Sequence, residues 1–143
     1  MHHIAIMKKS WGLTGKILTG EKTLEERWYK FKRSPFGVVK AGDTIYFKDS
    51  GEPVSIKANV SNVLQFSNLT PDKVNELLKK YGTQDGIAES EIKNYYEMFK
   101  DKNYCLLVFL ENPEKITPFQ INKKGVGAMS AWITTEDINK IKQ

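Results

Sequence analysis

The sequence has little cysteine, little histidine and no long apolar run, and each shortage excludes a class of protein. Its single cysteine, Cys105, rules out an internal disulfide and a cysteine-rich metal site. The two histidines, His2 and His3, are adjacent near the N-terminus, which argues against a catalytic histidine triad and against zinc chemistry. The four-residue apolar run from Ile4 to Met7 is too short for the core of a signal peptide. No run of about 18 apolar residues occurs. We therefore expect a cytoplasmic protein with no metal, no other cofactor and no membrane partner.

The overall composition is that of a soluble globular protein. Hydrophobic residues make up 40% of the 143 residues and charged residues 27%, which excludes a disordered chain. A chain of this length can bury its apolar side chains in one core. We therefore expect a single domain over residues 1–143, and we favour a monomer.

Positive charge is concentrated in the first part of the chain. Residues 1–40 contain nine Lys or Arg and three acids, a net charge of +6, whereas residues 41–143 have a net charge of −1. The same segment contains aromatic residues, namely Trp11, Trp28, Tyr29, Phe31 and Phe36. Cationic side chains attract phosphate and aromatic rings stack on bases, so this mixture favours RNA, a nucleotide or a modified nucleoside as the partner. A charge asymmetry without a binding function is the alternative.

The alternation of side chains from residue 54 to residue 67 is the clearest structural pattern. Six of the seven even positions from 54 to 66 are apolar, and one of the seven odd positions from 55 to 67 is. This period of two predicts a long, bent antiparallel strand with one buried face, as in a barrel. Weaker patterns predict strands at 2–9, 23–31, 44–48, 104–110 and near 132, and helices at 11–19, 71–81, 90–100 and 136–142.

These elements predict the fold class. Their order favours an α+β domain built on a partly closed, mostly antiparallel β-barrel with flanking helices. The two central helices form an insertion at about residues 70–102. Cys105 and His3 are expected to be structural, and Trp28 is expected to pack in the barrel.

Residues 15–27 join the end of the first helix to the second strand and contain the densest charge. The segment from Gly15 to Thr23 is close to a phosphate-loop pattern, but Glu21 stands where that pattern needs Lys. The order is also helix to strand, so no helix N-terminus would meet the phosphates. We therefore reject a phosphate loop.

Two interpretations of this segment remain. On a strand, Glu25 and Arg27 share one face and Glu26 lies on the other, so Glu25 and Arg27 could form a solvated ion pair that contributes little. Alternatively, Lys22 at the turn could converge with Glu25 and Arg27 on the mouth of a ligand cleft, where the planar Arg fork would bind phosphate or a base edge. In that cleft Gly20 would allow close approach of the backbone.

The segment from Gly20 to Arg27 matches G-x-K-x-x-E-x-R and resembles the signature of the ASCH domains in the PUA-like superfamily. The close match covers about residues 2–32. The resemblance implies a small PUA-like β-barrel with a cleft beside the first helix, lined by the motif and used for RNA or modified nucleotides. It therefore favours the ligand cleft, with Trp11 as the candidate stacking residue beside Gly20, Lys22, Glu25 and Arg27.

The resemblance also implies an alternative activity. Some similar proteins are small hydrolases that deacylate N4-acetylcytidine with the motif Lys, a Thr at the position of the motif Glu, and a further Glu. Lys22 matches that Lys, and Glu25 stands where the Thr would be. Lys22 and Glu25 are therefore the candidate catalytic residues if the protein is an enzyme, and a ribonuclease-like activity is a further alternative.

A second wall of the cleft is predicted near the C-terminus. Lys123 and Lys124 precede a run of small residues that contains Gly125 and Gly127. Small residues permit close approach of a ligand to the backbone, and the lysines add positive charge. An ordinary hairpin is the alternative for this segment.

Overall fold

The computed structural model describes residues 1–124 and 130–143. In this part of the chain nine strands and α-helices follow one another: β1 (His2–Met7), α1 (Leu13–Thr19), β2 (Leu24–Tyr29), β3 (Thr44–Asp49), β4 (Val54–Phe66), α2 (Pro71–Tyr81), α3 (Ile92–Phe99), β5 (Tyr104–Phe119) and β6 (Trp132–Thr135). Short 3-10 turns span Lys9–Trp11, Glu89–Glu91 and Ile138–Lys140. None of the helices in the described ranges is long and apolar enough to cross a membrane.

The strands form one curved sheet in the order β2-β5-β4-β3-β1-β6. Neighbouring strands are antiparallel except for β1 and β3, which are parallel. The sheet is a half-barrel, so β2 and β6 lie at its two open edges within the described residues. The predicted α+β class, with a partly closed and mostly antiparallel barrel and flanking helices, is confirmed.

The inner and outer faces of the sheet are covered by different parts of the chain. Ile17 of α1 packs on the inner face with Phe47 of β3 and Val108 of β5. Helices α2 and α3 cover the outer face of β2 and β5, where Leu78 and Leu107 are fully buried. The Thr70 side chain accepts a hydrogen bond from the Lys73 amide and begins α2, with Pro71 in its first turn. The helices between β4 and β5 therefore form one wall of the region around β2.

The long strand β4 forms as predicted, but its buried face changes along its length. Ile56, Ala58 and Val60 point to the inner core, whereas Leu64 and Phe66 pack on the outer core beneath the helices. The register with β5 shifts between Val60 and Asn62, and a one-residue bulge moves every following side chain to the opposite face. Alternation in the sequence predicted the strand but not this change of face.

Three predicted elements differ substantially from the structure. The strand predicted at 104–110 continues to Phe119. The first helix is interrupted at Gly12, whose φ of 63° separates a 3-10 turn from α1. The helix predicted at 136–142 is wrong, because only the turn Ile138–Lys140 forms. The chain beyond it pairs with residues 120–122, since the Asn122 amide donates to the Ile141 carbonyl at 2.7 Å and the Gln143 amide donates to the Gln120 carbonyl at 2.9 Å.

Candidate functional site

The motif begins at the end of α1, where the chain reverses into β2. Gly20 has a φ of 85°, a conformation that favours glycine, and its amide bonds to the Ile17 carbonyl at 3.2 Å. The Lys22 amide then donates to the Lys16 carbonyl at 3.0 Å. This tight turn directs the Lys22 side chain inward, immediately before β2 begins at Leu24.

Lys22 is buried in an ion pair with Asp85, which lies in the loop after α2. Only 1% of the Lys22 side chain is exposed, and its ammonium contacts the Asp85 carboxylate and the Asp85 carbonyl oxygen, the latter at 3.0 Å. Burial by itself lowers the pKa of Lys22, but the carboxylates of Glu25 and Asp85 outweigh burial and raise it above its usual value. Lys22 is therefore held as a cation.

The loop that contains Asp85 is attached to the motif by backbone contacts as well. The Gln84 carbonyl accepts from the Thr23 amide at 2.7 Å, and the Gly86 carbonyl accepts from the Lys16 ammonium at 3.0 Å. A side chain at Gly86 would place its Cβ 3.3 Å from the Cβ of Lys22, so glycine permits this close approach. The loop after α2 thus holds the motif turn in position.

Glu25 connects Lys22 to Arg27. One Glu25 carboxylate oxygen lies 3.7 Å from the Lys22 ammonium, and the other lies 3.8 Å from the Arg27 guanidinium. The three residues therefore form a continuous row of charges, as the ligand-cleft interpretation requires. Lys22 occupies the buried end of this row, and Arg27 occupies the end nearest solvent.

The Arg27 guanidinium packs over an aromatic ring but makes only long polar contacts with the described residues. Its guanidinium lies over the Trp132 ring at 5.3 Å from the centroid. Its polar contacts with described residues are long: 3.5 Å to the Ala131 carbonyl, 3.5 Å to the Met7 sulfur and 3.8 Å to Glu25. A guanidinium has five N–H donors, so most of the hydrogen-bonding capacity of Arg27 is not used by the described part of the protein.

Glu26 and Trp28 lie on the opposite face of β2, next to Asp85. Both Glu26 carboxylate oxygens and the Trp28 indole nitrogen are buried without a hydrogen-bond partner among the described residues. Burial raises the pKa of Glu26, and the nearby Trp28 indole and Asp85 offset only part of that rise. Burial and the Glu26 carboxylate raise the pKa of Asp85, and the Lys22 ammonium acts against that rise. Glu26 and Asp85 therefore oppose each other's ionisation behind the cleft.

A cleft of about 300 Å³ lies along the unpaired edge of β2. We call it the β2 cleft. Because it follows a strand edge, side chains from both faces of β2 reach it. Its walls are Ile6, Met7, Lys8, Trp11, Leu13, Glu25, Glu26, Arg27, Trp28, Tyr29, Met98 and Phe99.

Of the residues predicted to bind a ligand, Trp11, Glu25 and Arg27 line the β2 cleft. Trp11 is 39% exposed and makes an edge contact with Tyr95 at 6.0 Å between ring centroids. Lys22 and Gly20 do not line the cleft, and they act behind it by fixing the turn. The structure therefore places Lys22, Glu25 and Arg27 in one row, but Lys22 is buried behind the cleft.

The predicted second wall is described only in part. Lys123 lines a neighbouring cavity of about 300 Å³ with Lys8 and Ser130, and its ammonium donates to the Ser130 carbonyl at 3.3 Å. Lys124 is exposed in a turn, where its amide donates to the Asn122 side chain at 2.8 Å, and it does not line the β2 cleft. Gly125 and Gly127 lie outside the described residues.

Trp28 packs on a different core from the one predicted. Its ring stacks on Phe99 of α3 at 5.1 Å between centroids, so it belongs to the outer core beneath the helices and not to the barrel interior. Sequence reasoning also missed Asp85, in the loop after α2, and Phe99 of α3, which complete the site. An Asp-Gly pair is typical of a turn, but it carries no information about a contact with Lys22.

A metal centre does not form from these side chains. Within residues 1–124 and 130–143, no group of three or more His, Cys, Asp or Glu residues could hold a metal ion. The carboxyl groups behind the cleft are instead arranged around Lys22.

Comparison with known proteins identifies the fold. No protein-family model matches the sequence, and no curated protein matches it significantly. The crystal structure of ASCH from Zymomonas mobilis is similar, with a TM-score of 0.68 and 16% identity over 97% of this chain and 91% of that chain. The N-terminal domain of Staphylothermus marinus McrB has a TM-score of 0.53 and 14% identity over 83% of this chain and 76% of that chain. The hypothetical protein PH0355 has a TM-score of 0.52 and 20% identity over 81% of this chain and 100% of that chain. The chain therefore has the fold of the ASCH domains.

Proposed function

We propose that this protein binds RNA or a nucleotide through the β2 cleft. The main support for the proposal is that the Arg27 guanidinium has unused hydrogen-bond donors. It is mostly buried and lies over Trp132, and it has no polar contact shorter than 3.5 Å with a described residue. Such a group is ready to donate two parallel hydrogen bonds to a phosphate or to a base edge. Its fixed position means that little side-chain entropy is lost when a ligand binds.

The other walls of the cleft suit a nucleotide. Trp11 and Phe99 supply aromatic surfaces for base stacking, which stabilises single-stranded nucleic acids by about 1–3 kcal/mol per base. The cleft of about 300 Å³ is at the lower end of the size of small-ligand pockets. Glu25, held between Lys22 and Arg27, can accept a hydrogen bond from an exocyclic amine. The basic segment 1–40 would draw polyanions towards this side of the protein.

The deacylase alternative needs Lys22 as a general base, and the environment of Lys22 opposes that role. A base must be neutral to accept a proton, yet the pKa of Lys22 is raised because Glu25 and Asp85 outweigh its burial. Glu25 also provides no hydroxyl nucleophile at the position where the deacylases have Thr. We therefore propose binding without rapid turnover.

A titration of a fluorescently labelled single-stranded RNA tests the proposal. Arg27→Gln should weaken binding by roughly 10-fold or more, because a hydrogen bond to a charged group contributes about 1.5–3 kcal/mol. Arg27→Lys keeps the charge but loses the planar fork, so it should restore only part of the affinity. Lys79→Gln, which removes a positive charge from an exposed position on α2, is the matched control. Equal affinity for Arg27→Gln and Lys79→Gln would reject the cleft as the binding site.

A further inference from the structure

Two more cavities continue from the β2 cleft along the same strand. One, of about 490 Å³, is lined by Arg27, Tyr29, Arg33, Ser34, Ser130, Ala131 and Trp132. The other, of about 280 Å³, is lined by Trp28, Tyr29, Lys30, Phe31, Arg33 and Lys102. Tyr29 borders all three cavities, and Arg33 borders both added cavities. The three spaces are therefore neighbours that meet at Tyr29. We call the cavity bordered by Arg27 and Arg33 the middle cavity, and the cavity beside Phe31 the outer cavity.

The middle cavity has the side chains expected of a phosphate site. Arg27 lies over Trp132 at 5.3 Å, and Arg33 lies over Tyr29 at 5.2 Å, so an aromatic ring supports each guanidinium. No carboxylate of a described residue forms an ion pair with Arg33. Two supported guanidinium groups bordering one concave space create a local positive potential that a phosphate would neutralise.

The outer cavity adds an exposed aromatic ring. Phe31 is 74% exposed, so burial in the protein does not explain its presence. Lys30 and Lys102 line the same cavity. An exposed aromatic ring flanked by cations is the usual arrangement for stacking a base of a single strand while its backbone follows the positive charges.

From this arrangement we propose that the three cavities form one track for a single RNA strand. One base occupies the β2 cleft, the adjoining phosphate lies between Arg27 and Arg33, and the next base stacks on Phe31. The ligand is then a strand of two or more nucleotides and not a free nucleoside. This inference rests on the proposed function and specifies its ligand class.

The test compares two probes, cytidine, which has no phosphate, and a labelled mixed-sequence RNA of about ten nucleotides, a length within the usual range for single-strand sites. Arg33→Gln and Phe31→Ala alter exposed side chains, so both variants should fold. Each should weaken RNA binding about 5-fold or more and leave cytidine binding unchanged. Arg33→Gln should also reduce the slope of log affinity against log salt by about 0.7, the value for one phosphate contact on a single strand.

The possible results distinguish binding along the whole track from binding in the β2 cleft alone. If Arg33→Gln and Phe31→Ala bind RNA like Lys79→Gln while Arg27→Gln binds it weakly, the track is wrong and the proposed function stands. If Arg33→Gln and Phe31→Ala weaken both probes equally, the middle and outer cavities are not a separate subsite and the track is again wrong. If Arg27→Gln binds both probes like wild type, the proposed function fails, and the track fails with it.

Discussion

Lys22 and Asp85, 63 residues apart in the sequence, form a buried ion pair that joins the turn before β2 to the loop after α2. The pair connects the half-barrel to the helical segment between β4 and β5, directly behind the β2 cleft. Lys22 is also 3.7 Å from Glu25, so a change at either member of the pair reaches a residue that lines the cleft. Stability and binding are therefore coupled through Lys22.

We predict that the two members of this pair are unequal in their effect on stability. Lys22→Met leaves three buried carboxyl groups without their central cation and should lower the free energy of unfolding by about 3–5 kcal/mol. Asp85→Asn still leaves Lys22 beside Glu25 and also relieves the repulsion with Glu26, so its cost should be smaller. Urea unfolding of the two single variants and the double variant measures both effects. Additive costs in the double variant would show that the two residues do not interact.

A second prediction concerns the buried carboxyl group of Glu26. Burial raises the pKa of Glu26 in the folded protein, so over the range above about pH 4 the folded state binds more protons than the unfolded state. The contribution of Glu26 to stability therefore falls as the pH rises through that range towards the raised pKa. Glu26→Gln cannot ionise and should remove this loss, stabilising the protein at about pH 8 by about 1 kcal/mol or more, because burying an unpaired charge costs more than burying an unpaired neutral group.

Unfolding free energies of wild type and Glu26→Gln at about pH 5 and pH 8 check this prediction. The difference between the two proteins should grow with pH, since the unfolded state loses the Glu26 proton over this range and the folded state retains it. Glu97→Gln, an exposed change on α3, is the control and should show no such trend. A Glu26→Gln variant that is less stable than wild type at pH 8 would mean that the Glu26 charge is stabilising.

A third prediction concerns Trp11 as a stacking residue. Trp11→Ala should weaken RNA binding by about 5-fold or more, in line with the stacking free energy of one base, and Trp11→Phe should recover part of the loss. Since Trp11 is 39% exposed, its removal should change the melting temperature little. Equal affinities of Trp11→Ala and wild type, measured by the same titration, would remove Trp11 from the site.

A fourth prediction separates a binding protein from a deacylase. Incubation with N4-acetylcytidine should release no cytidine above the uncatalysed background, because Glu25 and Asp85 keep Lys22 protonated against the effect of burial. The measurement is chromatographic detection of cytidine over time. Turnover on the order of 1 s⁻¹ that is lost in Glu25→Gln would identify an enzyme instead.

Local features of the sequence predicted those parts of the fold that depend on local interactions. Gly20 marked the end of α1, Thr70 and Pro71 marked the start of α2, and the period of two marked β4. The bulge between Val60 and Asn62 was not predictable, because it depends on the register with β5 and not on the composition of β4. The predicted C-terminal helix was wrong for a similar reason, since the chain after Lys140 pairs with residues 120–122, a contact that the local sequence does not reveal.

For the site, the sequence indicated which residues carry charge but not which of them are buried. The alternation along β2 placed Glu25 and Arg27 together, and the structure has them in one row. Lys22 and Asp85 are separated by β2, β3, β4 and α2, so no short window of sequence contains both residues. Glu26 looked like a polar strand position, and only the packing of α2 and α3 against β2 makes it a buried carboxyl group.

The position of β2 at an open edge of the sheet has a consequence for self-association. An edge strand offers unpaired backbone groups to a strand of another molecule and is a common starting point for aggregation. In β2, Glu25, Glu26 and Arg27 are consecutive, so an incoming strand would place its own side chains beside three charged groups at the middle of the edge. The other open edge, β6, has only four residues, from Trp132 to Thr135, and offers a short template. The charges of the motif therefore also protect the sheet from intermolecular pairing, and variants that neutralise several of them together should aggregate more readily than variants that neutralise one.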